Sequence, residues 1–470
     1  MQRTRLPVLS RLRIALLSAF TAACSNADQS PIAIDCTDTM KEVYKSVDDV
    51  KPFDASRRGE IVRCTPAPGL SAQQIRQALD AAGYASDHIT SGASAYVIAY
   101  RTTRMDSDHQ GITSALVYLP TRPIVRGAQP LVVFGHDTVG LGDGCAPSRN
   151  DPLLDIARIG LVGRGFTVFA PDYAGYGYRG EPPGYLSVPD QGHALLDATR
   201  AAHEMLPNTK LSRKAVLVGQ SQGGHAVLGA QTLLRDYGVE GELNGVVAFA
   251  PIWFPLRSFG ALPVIGGPDA NAEPYAFAMY YLYSHGALLD GAGQGGVPFR
   301  EDLREDIVAH IAKQCLPDMI DYVQTLGPEG ADVYTQDFLD GLTTCAATKQ
   351  RCDNAVADKW MPRFADDRPA IDAAGAPMVI WQGGMDTTVT PARARCGVDK
   401  ITSELAPSGG ATLTTCVAPE GTHDSIVSLG MDWVASWILA RTTGGTEPAP
   451  CEGADSLPAC PELPSPTNED

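Results

Sequence analysis

The 470-residue chain is 44% hydrophobic and carries 54 acidic against 37 basic residues, for a net charge of −17. That balance argues against a nucleic-acid-binding protein, which wants a basic patch. The apolar content is enough for a sizeable core. The first 23 residues read as a signal peptide: Arg3, Arg5, Arg11 and Arg13 precede a short apolar run, Ile14 to Phe20, and then the small residues Thr21-Ala22-Ala23. The run is too short to span a membrane as a stable helix. Cys24 follows the small residues as in a bacterial lipobox, although Thr21 stands where Leu is usual. Lipidation of Cys24 and plain cleavage after Ala23 are both open. Ten further cysteines, read together with export, point to disulfides. Neighbours in sequence suggest Cys36/Cys64, Cys396/Cys416 and Cys451/Cys460. No C-x-x-C or H-E-x-x-H occurs, which argues against a zinc site.

The predicted elements run as follows. Residues 27–70 read as loops with two cysteines. A helix is expected over 70–83, with Ser71 and Gln74 as its capping box and Gly83 as its stop. Strands at 95–103 and 112–120, parted by a polar turn, form a hairpin. A short apolar strand at Leu131–Phe134 breaks into the glycine-rich loop "GHDTVGLGDG". Then come a helix, a strand at Thr167–Ala170, a helix over 189–206, a strand ending at Ser221, a helix after it, and a strand over 243–251. This alternation predicts an α/β fold with a mostly parallel sheet and helices on both faces. Residues 253–365 are helical in pattern and read as an insertion. The alternation resumes with strands at Met378–Trp381 and 411–419 and a closing helix beginning at about His423. The expected organisation is a signal peptide (1–23), an N-terminal extension (24–94), a core (95–252 and 366–442), a helical lid or cap (253–365) and a Pro/Glu-rich tail (443–470).

One pentapeptide carries chemistry, Gly219-Gln220-Ser221-Gln222-Gly223. With 47 glycines in the chain, G-x-S-x-G alone is weak, and context has to decide. Here it joins a buried strand to an apolar helix, the setting of a nucleophile elbow, where the serine sits on a strained strand-to-helix turn. A serine hydroxyl needs a base, and the base needs an orienting acid. In that fold they follow in the order Ser, acid, His. Asp386 lies five residues past the strand end at Trp381, whereas Asp372 and Asp399 follow no strand directly. His423 is the one histidine after Asp386, and it lies between the last strand and the closing helix. His225 is near Ser221 in sequence, but one helical turn along it is expected to serve support or packing. Asp424 is expected to point away, as a helix N-cap.

An oxyanion hole needs backbone N–H groups aimed at the developing charge. Gln222 should give one, and Asp137 or Thr138, in the loop after the early strand, the other. An aspartate is unusual there. With its side chain protonated it could donate as well.

Together the segments "HDTVG…CAPS" (136–148), "APDYAGYG" (170–177), "GQSQGG" (219–224), "GGMDTTVTP" (383–391) and "GTHDS" (421–425) resemble the secretory lipase family of α/β-hydrolases. The resemblance implies an α/β-hydrolase fold with a helical lid, and ester hydrolysis through Ser221, Asp386 and His423 with no cofactor or metal. It implies a small-molecule or lipid ester as substrate. Two departures are Asp137, where bacterial relatives often have Gly, and the cysteine-rich ends. "YAFAMYYLY" (275–283) offers side chains suited to an acyl chain, or to packing within the lid. Lipase and esterase both stay open. An exported protein is expected, either extracellular, periplasmic or an outer-membrane lipoprotein held through Cys24. The rival readings are a serine peptidase or an acyltransferase on the same fold, and a non-catalytic surface binding protein.

Overall fold

The computed structural model describes residues 34–45, 54–106, 109–178, 182–253, 267–347, 354–372, 374–405, 411–451 and 453–460. The expected signal segment, Cys24 and Cys352 lie outside them. Nine strands form one sheet: β1 (Ile61–Leu70), β2 (Ala93–Thr103), β3 (Gln110–Pro120), β4 (Gln129–Gly135), β5 (Thr167–Pro171), β6 (Leu211–Gln220), β7 (Glu242–Phe249), β8 (Met378–Gly383) and β9 (Leu413–Ala418). Their order is β1-β2-β3-β5-β4-β6-β7-β8-β9. From β5 to β9 every neighbouring pair is parallel, and β1, β2, β3 and β5 pair antiparallel. The central strands are apolar on both faces, as a parallel sheet covered on two sides requires: Val216, Leu217, Val218, Val246, Val247 and Ala248 are all fully buried.

Among the described residues the helices of eight residues or more are α1 (Ala72–Ala81), α2 (Ile156–Gly163), α3 (Val188–Met205), α4 (Gln222–Tyr237), α5 (Ala272–Leu289), α6 (Arg304–Ile311), α7 (Leu316–Val323), α8 (Gln336–Ala347), α9 (Ala355–Asp366), α10 (Pro391–Leu405) and α11 (Ile426–Thr443). α3 and α4 pack together and on the central strands, while α11 packs against β6, β7 and β8 and against α2. α5 to α9 all fall between β7 and β8. α1 begins as expected, with Ser71 and Gln74 bonded reciprocally as a capping box. Among the described residues no helix is long and apolar enough to cross a membrane.

The structure differs from the sequence expectations in several places. β1 falls in "IVRCTPAPGL", which reads as a loop because it holds two prolines and a glycine. At the sheet edge one side of the strand needs no partner, so missing N–H groups are tolerated there. Helix α10 was also not expected. The closing helix begins at Ile426 with Ser425 as its N-cap, so Asp424 is not the cap and is exposed in the preceding loop.

Cys36 pairs with Cys64 as expected, but Cys396 pairs with Cys460 and Cys416 with Cys451. The expected Cys396/Cys416 and Cys451/Cys460 pairs are therefore corrected. The tail does not close on itself; it runs back over α10 and β9. Trp433 Nε1 also holds it, donating to Ala449 O at 2.7 Å. A fourth bridge, Cys145–Cys315, joins the loop after β4 to the N-cap of α7 across 170 residues.

Candidate active site

Ser221 stands between β6 and α4 with φ of +53° and ψ of −114°, a conformation that side-chain-bearing residues seldom adopt. The surrounding glycines explain how the turn survives. A Cβ on Gly219 would strike the carbonyl of Gly223, one on Gly223 would strike the carbonyl of Gly135 in β4, and one on Gly224 would lie 2.8 Å from Pro251 Cα. The turn is pinned by Ser221 N–H to Phe249 O (2.9 Å), Ile252 N–H to Ser221 O (3.2 Å) and His225 N–H to Ser221 O (3.0 Å). Strain fixed from several sides in this way is the usual mark of a functional turn.

Asp386 follows β8 with its side chain fully buried, although its neighbours Met385 and Thr387 are exposed. Its Oδ1 accepts from Thr388 N (2.9 Å) and Val389 N (2.8 Å), and Gln382 Nε2 donates to its Oδ2 (3.3 Å). Oδ2 also accepts from His423 Nδ1 at 2.8 Å. The two loops meet because a Cβ on Gly383 would collide with the Gly421 carbonyl, so only glycine fits there. Met385 N–H donates to Gly421 O at 2.9 Å. Burial pulls the His423 pKa down, but the hydrogen bond and charge of Asp386 outweigh it, and the net shift is upward.

The elbow reaches the histidine loop through its backbone. Gln220, just before Ser221, donates from Nε2 to His423 O at 3.1 Å. Ser221, Asp386 and His423 thus stand past the ends of β6, β8 and β9, and a hydrogen bond joins Asp386 to His423. Among the described residues the Ser221 hydroxyl makes no hydrogen bond, to His423 or otherwise. Such contacts are often loose before substrate is bound. Ser221 is only 2% exposed.

Gln222 opens α4 and is buried. Asp137 and Thr138 lie in the loop after β4. Thr138 Oγ1 shares a hydrogen bond with Tyr185 OH at 2.9 Å. Asp137 is exposed towards a cavity of about 310 Å³, whose walls include Tyr84, Phe134, Arg158, Gln220 and Asp424. The protein crowding its carboxyl nonetheless raises its pKa, against the opposing charge of Arg158. Burial lowers His136 to about 4, so its ring is neutral at physiological pH.

The segments "CAPS" and "APDY" hold this loop from behind. Asp172 Oδ2 accepts from Ser114 Oγ (2.7 Å), and its Oδ1 accepts from Ser148 N (3.0 Å). The Cys145–Cys315 bridge and Leu316 N–H to Val139 O (2.9 Å) tie the same loop to α7. His225 donates from Nε2 to Asp367 O at 2.7 Å. Among the described residues no cluster of His, Cys, Asp and Glu is suited to a metal ion.

Comparison with known proteins bears on this site. The secretory lipase family matches residues 154–253, a stretch that holds the elbow. The chain is similar to the secretory lipases and has the α/β-hydrolase fold. Similar folds include a putative hydrolase from Legionella pneumophila, with a TM-score of 0.66 and 17% identity, covering 83% of this chain and 100% of that one. The rice cell wall degrading esterase of Xanthomonas oryzae has a TM-score of 0.60 and 19% identity, covering 82% and 97%. Candida antarctica lipase A in its closed state has a TM-score of 0.60 and 18% identity, covering 90% of each chain. No curated protein matches the chain significantly in sequence.

Proposed function

We propose that the protein is an exported serine hydrolase of carboxylic esters, acting through an acyl-enzyme on Ser221. The observation that carries this reading is the Asp386–His423 hydrogen bond of 2.8 Å beside a serine held at positive φ. His423 Nε2 takes the Ser221 proton as Oγ attacks the ester carbonyl. Asp386 fixes the Nδ1–H tautomer and stabilises the imidazolium that forms. The N–H of Gln222 and that of Asp137 or Thr138 meet the oxyanion. The imidazolium then protonates the leaving alcohol, and the alkoxy C–O bond breaks. In the second half His423 activates water, which releases the acid and frees Ser221. A protonated Asp137 side chain would add a donor to that hole.

Helices α5 to α9 serve as the lid or cap of such an enzyme. The four disulfides among the described residues support export, and the lipobox-like Cys24 supports attachment to a membrane. Hydrolysis of p-nitrophenyl esters of rising chain length, beside triglyceride emulsions and peptide amides, tests the reaction class. Ester turnover is expected. Peptide cleavage without ester turnover would replace the reading with a peptidase.

A further inference from the structure

A buried carboxylate outside the triad touches both supports of the proposed oxyanion hole. Asp367 lies just past α9 and is 4% exposed. Its Oδ2 accepts from Tyr281 OH at 2.7 Å and contacts His285 Nε2 at 2.7 Å, both on α5. Its Oδ1 accepts from Val188 N–H at 2.8 Å, the first residue of α3. Its carbonyl accepts from His225 Nε2 at 2.7 Å, on α4. One residue therefore joins three helices.

His285 Nδ1 faces the Tyr281 carbonyl at 2.9 Å and Ser284 Oγ at 3.3 Å, and its Nε2 meets Asp367 Oδ2 at 2.7 Å, so the ring is held at both nitrogens. His225 Nδ1 is buried with no partner among the described residues, so His225 is the neutral Nε2–H tautomer. Such a network is expensive to leave partly unsatisfied, which makes its geometry stiff.

Two lines run from it to the site. Val188 ends the turn that holds Tyr185, whose hydroxyl meets Thr138 Oγ1 in the loop after β4. Leu186, between them, has φ of +55°, so the turn is a constrained one. Tyr185 also packs edge-on against Tyr280 of α5, with ring centroids 5.6 Å apart. On the other line, the His225 backbone N–H bonds Ser221 O at 3.0 Å, so the ring held by Asp367 belongs to the residue that closes the elbow.

We infer that Asp367 is a positioning residue that locks the helix α5 wall to both the nucleophile elbow and the Thr138 loop, and so sets the spacing of the oxyanion donors. This rests on the hydrolase reading above. Displacing donors by a fraction of an ångström slows chemistry more than binding.

The test uses the full, disulfide-bonded protein with p-nitrophenyl acetate as substrate and a fluorophosphonate as probe. Asp367→Asn leaves the carboxamide facing two donors, and Tyr281→Phe removes one O–H while keeping the ring. Both are expected to lower kcat and the rate of Ser221 phosphonylation roughly tenfold to a hundredfold, with KM within about twofold. Ile438→Val, buried on the opposite face of the sheet in α11, serves as the control for lost stability and should lower Tm without changing kcat. If Asp367→Asn does not fold, Tyr281→Phe decides. Folded variants with unchanged kcat and labelling rate overturn the inference while leaving the hydrolase intact. A wild type that neither labels nor turns over ester overturns the hydrolase reading itself.

Discussion

Gln220 Nε2 donates to the backbone carbonyl of His423 at 3.1 Å, so the residue before the nucleophile holds the loop of the base. The bond spans 203 residues of sequence and crosses from the end of β6 to the loop after β9. Gln220→Ala removes it and leaves the triad side chains in place. Activity on p-nitrophenyl acetate is expected to fall about tenfold, mainly in kcat, with Tm changed by a few degrees at most, since one partly exposed hydrogen bond contributes only about 1 kcal/mol. Unchanged kcat would mean that the His423 loop is held well enough by the Asp386 and Gly421 contacts alone.

The upward shift of His423 has opposite consequences for activity and for stability. As a base the ring must be neutral, so kcat/KM should rise with pH through a midpoint above the ordinary imidazole value of about 6.5. Because the pKa is raised in the folded state, the contribution to stability is full below the unfolded value and fades as pH rises through the folded one. Asp386→Asn removes the charge that raises it. Its residual activity should be lower by roughly 10³–10⁴, and its rising limb should move to lower pH. A limb that stays in place would assign the titration to another group.

Gly223 is pressed against β4, and any Cβ there meets the Gly135 carbonyl. Backbone cannot yield as a flexible side chain can. Gly223→Ala is expected to cost a few kcal/mol and to be recovered mostly as insoluble or inactive protein, measurable as lost soluble yield and lowered Tm. Gly444→Ala tests a milder effect, because that glycine meets nothing within 4 Å and carries only a positive φ.

Removing the Cys145–Cys315 bridge by paired Ser substitution frees a 170-residue loop. Chain entropy alone puts its worth at about 5 kcal/mol. A fall in Tm is expected, accompanied by a loss of kcat, because the bridge also fastens the loop that carries Asp137 and Thr138. A Tm loss with full kcat below the transition would separate the bridge from catalysis.

Where each site residue lies relative to a strand end was legible in the sequence, because apolar runs followed by glycine or aspartate mark the carboxyl ends of parallel strands. Ser221, Asp386 and His423 all stand at such ends. The supports were less legible. Asp367, Tyr281, His285, Val188 and His225 come from separate segments, and no local pattern links them. Only the oddity of a histidine one turn past the elbow hinted at a partner. β1 was hidden by its prolines, which an edge strand tolerates. The cysteine pairing failed where sequence distance was used for spatial distance: Cys416 lies within β9 and Cys396 on α10, and the tail reaches both.

The central claim is that Ser221 is a nucleophile activated by His423. Its most direct measurement is mass-spectrometric mapping of fluorophosphonate label on wild type and Ser221→Ala. One adduct on the wild-type peptide that holds Ser221, and none on the variant, is the predicted result. No adduct on wild type, or equal labelling of Ser221→Ala, would contradict it.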